Sequence, residues 1–137
     1  LYYENGVLNL KMKISNIDHL VLTVADIDKT IDFYTNILGF EVVTFGNNRK
    51  ALTFGNQKIN LHQKGKEFEP KAEHPTTGSA DLCFISETDI DEVLEELKQK
   101  NIEIIEGVVE RTGAIGKIKS VYFRDPNLNL IEVSNYF

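Results

Sequence analysis

Ile17-Asp18-His19-Leu20-Val21-Leu22-Thr23-Val24, closed by Asp26-Ile27-Asp28, is echoed in the second half of the chain. There it becomes Ala80-Asp81-Leu82-Cys83-Phe84-Ile85, closed by Asp89-Ile90-Asp91. Each copy reads as a strand, alternating and rich in β-branched or aromatic residues. In each, the first aspartate of the triplet is placed to accept the free N–H groups at the start of a helix. The helices are predicted by apolar stripes, Ile27, Ile31, Tyr34 and Leu38 in the first copy and Ile90, Val93, Leu94 and Leu97 in the second. Gly39 and Asn101 stand where those helices must stop.

Three extended stretches follow each helix. In the first half they are Phe40–Phe45, Lys50–Phe54 and Lys58–Gln63, the last two joined by a Gly55-Asn56 turn. In the second half they are Ile102–Ile105, Lys119–Phe123 and Leu130–Ser134, with Asp125-Pro126-Asn127 turning into the last. The repeat predicts an α+β fold of two βαβββ modules, about residues 14–65 and 79–137. The two are expected to close side by side into a curved sheet around one cavity.

The bulk properties agree with a single domain over 14–137. A chain of 137 residues buries roughly 68–70% of its unfolded surface, enough for a core without staples. Met12 is the only methionine, so residues 1–13 read as an N-terminal extension, and they lack the apolar centre of a secretion signal. No apolar run approaches the roughly 18 residues of a membrane span. A net charge of −6 argues against nucleic acid and acidic membrane as partners and leaves a small molecule. Cys83 is the only cysteine, which excludes an internal disulfide and a multi-cysteine zinc or iron–sulfur site. A reducing, cytoplasmic setting is expected.

Strand alternation then isolates candidate site residues. Leu20, Leu22 and Val24 take the helix side of the first strand and leave His19 on the other face. The same parity frees His62 between core positions Ile59 and Leu61 and the end of its strand. It frees Asp81 beside Leu82, and Glu132 between Ile131 and Val133. With the halves aligned, His19 falls opposite Asp81 and His62 opposite Glu132. Two imidazoles with one or two carboxylates suit a borderline divalent ion: Zn²⁺, Ni²⁺, Fe²⁺, Co²⁺ or Mn²⁺. Three or four such ligands leave positions open for water or substrate, as in a catalytic centre. Asp81 is either a ligand or a residue that orients a histidine from behind. His74, beside Pro75 in a polar loop, reads as surface.

The stretch from Asp18 to Val24, the pair Phe33-Tyr34 with Leu38-Gly39-Phe40, and Phe123-Arg124-Asp125-Pro126-Asn127-Leu128-Asn129-Leu130-Ile131-Glu132-Val133 together resemble the glyoxalase/bleomycin-resistance/extradiol-dioxygenase group, the vicinal oxygen chelate superfamily. Lys58–Lys71 with Arg111-Thr112-Gly113 is similar to its small glyoxalase-domain members of lactoylglutathione-lyase kind. The resemblance implies paired modules, a bound divalent metal, a homodimer, and metal ligands at His19, His62, Asp81 and Glu132. It implies a lyase or isomerase whose substrate, such as a thiol hemithioacetal, chelates the metal through two adjacent oxygens. Glu132 falls on the family's base position, and Arg49 and Arg111 are candidates for binding substrate carboxylates. The rivals are an extradiol dioxygenase, thiol or water addition to an antibiotic such as fosfomycin, and metal-free antibiotic sequestration. The first two place a histidine where Asp81 stands, and the third generally lacks these ligands. The family turn also carries a glycine where this chain has Leu128, so an altered turn geometry is expected there.

Overall fold

The computed structural model describes residues 2–4 and 6–137. Strands β1 (Tyr2–Glu4) and β2 (Val7–Asn9) form a two-stranded ribbon of their own. Of the expected extension 1–13, residues 1 and 5 lie outside the described part. The first module runs β3 (His19–Val24), α1 (Ile27–Asn36), β4 (Glu41–Phe45), β5 (Arg49–Phe54) and β6 (Gln57–Gln63). The second repeats it as β7 (Asp81–Ile85), α2 (Ile90–Gln99), β8 (Glu106–Thr112), β9 (Lys117–Arg124) and β10 (Leu130–Tyr136). This is the predicted α+β pair of βαβββ modules. Its two four-stranded sheets, ordered β3-β6-β5-β4 and β7-β10-β9-β8, are separate hydrogen-bonded sheets. In each, the first strand pairs in parallel with the last.

The punctuation works as the sequence implies. Asp26 accepts from the Lys29 N–H at 3.0 Å, and Asp89 from that of Asp91 at 3.0 Å. Gly39 and Asn101 turn left-handed, at φ 72° and 61°. One strand departs from expectation. Ile102–Ile105 is not a strand; Ile102 and Ile104 pack against the core from irregular backbone. Ladder pairing begins with the Ile105 N–H on the Tyr122 carbonyl at 2.8 Å and continues through polar Glu106–Thr112.

The helix-side faces of both sheets share one core, centred on Val24, Tyr34, Leu52, Ile59, Leu97, Val121, Phe123 and Ile131. Aromatic rings cross between the modules: Phe84 meets Phe40 and Phe54 edge-on, both at 5.2 Å. The β9–β10 turn is the polar fastening. Buried Asp125 accepts from the Tyr34 hydroxyl at 2.6 Å, and Asn127 accepts from the Ala25 N–H at 2.9 Å. No helix among the described residues is long and apolar enough to cross a membrane.

Leu128 corrects the reading of that turn. Without glycine the backbone still goes left-handed, at φ 68°, and the leucine side chain is left in solvent. An L-residue held there costs roughly 1–2 kcal/mol, and the exposed leucine returns little by packing. Leu128→Gly is therefore expected to raise unfolding stability by about 1 kcal/mol, read as a higher urea midpoint with an unchanged slope.

Candidate metal centre in two halves

The strand registers turn each sheet's polar face into rows. In the first module they are His19–Lys58–Thr53–Glu41, then Val21–Asn60–Ala51–Val43. The third row is Thr23–His62–Arg49–Phe45, where the β5–β6 register is carried one step past Lys50 and Leu61. In the second module they are Asp81–Leu130–Arg124, then Cys83–Glu132–Tyr122–Glu106, then Ile85–Ser134–Ser120–Val109. His19 and Asp81 correspond, as expected. The other equivalence does not hold: Glu132 corresponds to Asn60, and His62 to Ser134. Counting residues between strands hid this two-residue offset, which leaves the parity of each face intact.

The offset has a metric consequence. His62 stands four residues beyond the level of His19, about 13 Å along the strands at 3.3 Å per residue. Ligand nitrogens sit about 2.0–2.1 Å from an ion, so the two histidines of one module do not serve one ion. His19 with Asn60, and Asp81 with Glu132, are instead matched diagonal neighbours on adjacent strands. Among the described residues of a single chain, no three His, Cys, Asp or Glu side chains come together.

Two of these groups are already oriented. His19 Nδ1 lies 2.8 Å from Asp18 Oδ2; a proton held there leaves Nε2 with its lone pair outward. Glu132 Oε2 accepts from Ser120 Oγ at 2.6 Å and from Ser134 Oγ at 3.3 Å, while Ser120 and Ser134 lie 2.6 Å apart. This anchors one carboxylate oxygen. Cys83 extends the chain, its Sγ 3.3 Å from Ser134 Oγ, and burial pushes its thiol up. Burial, then the charge of Glu132, raises the phenol of neighbouring Tyr122. A side chain that offers an imidazole nitrogen and another that offers a fixed carboxylate oxygen fit a divalent cation.

The remaining candidates are elsewhere. His62 is 3% exposed and turns its Nε2 to within 3.4 Å of Arg49 Nη2; burial and the Arg49 charge lower its pKa. It is a neutral ring beside a guanidinium. Arg111 is paired with Glu106 at 3.1 Å, its guanidinium over the Tyr122 ring. Asp81 and His74 are exposed. Sequence reading put Asn60 and Ser134 on these polar faces without giving them a role, and it missed Ser120 and Tyr122. The same parity rule, applied to Lys119–Phe123, would have put Ser120 and Tyr122 on the face of Glu132.

Residues 16–133 match the model of the Glyoxalase/Bleomycin resistance protein/Dioxygenase superfamily, and the chain belongs to that family. It is 62% identical over 128 residues to virulence protein STM3117 of Salmonella typhimurium, covering 93% of this chain and 89% of that one. The crystal structure of that protein superposes with a TM-score of 0.91 at 63% identity, covering 92% of this chain and all of the other. The glyoxalase domain-containing protein RDO1 of Mycosarcoma maydis is 57% identical over 126 residues, covering 92% of this chain and 71% of its own. The metallothiol transferase FosB of Staphylococcus epidermidis is 30% identical over 122 residues, covering 89% and 82%.

Proposed function

We propose that this chain is a divalent-metal-dependent lyase or isomerase that works as a homodimer on a small substrate with two adjacent oxygens. The observation that carries the reading is the matched pair of diagonals: His19 with Asn60 in one module, Asp81 with Glu132 in the other. In a twofold dimer, each site takes one diagonal from each copy. Exposed apolar residues beside the diagonals, Val21 at 44% and Ile85 at 54%, support burial of these faces against a second copy.

His19, Asp81 and Glu132 hold the ion in this reading, and His62 is reassigned to the substrate side. That set is richer in oxygen than two imidazoles, which favours Mn²⁺ or Fe²⁺ over Zn²⁺. The ion supplies Lewis acidity to the chelated substrate oxygens. Glu132 would hold the ion through Oε1 and, with that oxygen released, carry the proton from one carbon to the next, while Ser120 holds Oε2 and fixes the direction of approach. Arg49, which has no carboxylate partner among the described residues, binds the substrate's anionic end, and Arg111 stays with Glu106. A reducing, cytoplasmic setting suits the single free thiol.

The likeness to a metallothiol transferase favours one second reading, metal-dependent addition of a thiol to a small electrophile at the same centre. Both readings stand or fall on the metal. Thermal unfolding is followed with Mn²⁺, Ni²⁺, Co²⁺ and Zn²⁺ after metal stripping. Wild type and His62→Ala are expected to gain stability saturably, whereas His19→Ala and Glu132→Ala are not. A wild-type melt indifferent to all four ions overturns the proposal. Turnover of methylglyoxal with glutathione then separates the lactoylglutathione reaction from thiol transfer to another acceptor.

A further inference from the structure

Two cations converge on one ring of the first module's polar face without an acid to meet them. The Arg49 guanidinium lies 5.1 Å from the Phe45 centroid and the Lys58 ammonium 4.1 Å from it; Phe68 covers the guanidinium at 4.6 Å. Among the described residues, neither cation forms an ion pair with a carboxylate. The buried Arg49 Nε also has no hydrogen-bond partner among the described residues. Two like charges drawn to one ring repel, and a buried N–H without an acceptor carries a desolvation cost.

The space between them is defined by the register. Lys58 and Arg49 lie in the rows on either side of Asn60–Ala51. Ala51 is fully buried and contributes only a methyl group to the row between them. Asn60, 6% exposed, stands beside it in that row, and among the described residues its Oδ1 is also buried without a partner. His62 beside Arg49 stays neutral and adds a polar edge without adding charge.

We infer that Arg49 and Lys58 form an oxyanion subsite, taking a carboxylate or phosphate group of a small organic acid between them. Asn60 reads a hydroxyl or N–H next to that group. The inference rests on the proposed metal centre only for its consequence. The His19 end of the face binds the chelating oxygens, and the Arg49 end, some three to four residues further along the strands, binds the acid. The substrate is then a small acid whose anionic group is remote from the oxygens that chelate, rather than one of them.

The test needs no metal. Metal-stripped protein is titrated calorimetrically with succinate and, separately, with inorganic phosphate, at constant ionic strength against chloride. At least one of the two is expected to bind saturably, and which one tells carboxylate from phosphate. Arg49→Met and Lys58→Met keep the stem on Phe45 and remove the charge. Each is expected to weaken that binding roughly tenfold or more, the loss of a charge-assisted hydrogen bond. Circular dichroism and the melting curve check that each variant is folded; Arg49→Lys keeps the charge should Arg49→Met fail to fold, and is expected to retain part of the affinity. His19→Ala is expected to bind the anion as wild type does. Saturable anion binding by a wild-type protein whose melt ignores all four metal ions would leave the subsite standing and remove the metal centre. No saturable binding of either anion by wild type, or equal binding by Arg49→Met and Lys58→Met, overturns the inference.

Discussion

Mixing unfolded His19→Ala and Glu132→Ala chains and refolding them together is expected to restore metal binding that neither variant has alone. Each variant by itself lacks one diagonal in every site. A mixed dimer whose sites span two copies has one site with both defects and one with none. Random pairing makes about half the dimers mixed, so about a quarter of all sites should recover. Recovery is measured as bound metal per chain after dialysis, and as the same fraction of any turnover. A centre built within single chains gives no recovery at any mixing ratio. That result would remove the shared site while leaving His19 and Glu132 as ligands.

The second large effect is on stability, at Asp125. Its carboxylate takes the Tyr34 hydroxyl at 2.6 Å, the Asn127 N–H at 2.8 Å, the Asn129 N–H at 3.0 Å and the Asn129 amide at 2.9 Å. Asp125→Ala leaves four donors at a largely buried place without an acceptor, and loosens the turn that ties the second module to α1. The expected loss is about 3–5 kcal/mol, enough to unfold a marginal domain. Tyr34→Phe removes one of the four donors and is expected to cost about 1–2 kcal/mol.

Tyr34 also carries a pH signature. Burial, reinforced by the Asp125 charge and their hydrogen bond, pushes its phenol far above the ordinary tyrosine value. The folded state therefore keeps this proton where the unfolded state releases it. The stability it contributes is intact below the unfolded pKa of about 10 and is lost above it, at about 1.4 kcal/mol per pH unit. Urea midpoints between pH 9 and 11 should fall less steeply for Tyr34→Phe than for wild type. Parallel slopes would show that the phenol ionises freely in the native protein.

Much of this architecture was legible in the sequence because it depends on local signals that repeat. Asp26 and Asp89 cap, Gly39 and Asn101 stop, and period-two alternation sorts each strand's faces. Register is a different kind of information. It depends on how β6 and β10 slide against β3 and β7, and sliding by two residues preserves every face assignment. That is why His62 looked equivalent to Glu132, and why the sequence pointed to the right faces but matched their residues two positions out. Strand β8 was missed for a related reason. Ile102 and Ile104 alternate like a strand, but they fill the core from irregular backbone. The pairing falls to Glu106–Thr112, whose charges face outward on an edge. Asn60, Ser120 and Tyr122 needed partners from neighbouring strands before they had any meaning.

The row-by-row correspondence of the two sheets has a consequence for how such a protein changes over generations. Where the first module has Asn60, Ala51 and Arg49, the second has Glu132, Tyr122 and Ser120. On the proposed reading the first half recognises the acid and the second carries the reacting carboxylate. A substitution at Ala51 or Lys58 would then retune which acid is accepted without disturbing the carboxylate held by Ser120. On that reading the chain can exchange one substrate for another while its chemistry is inherited unchanged.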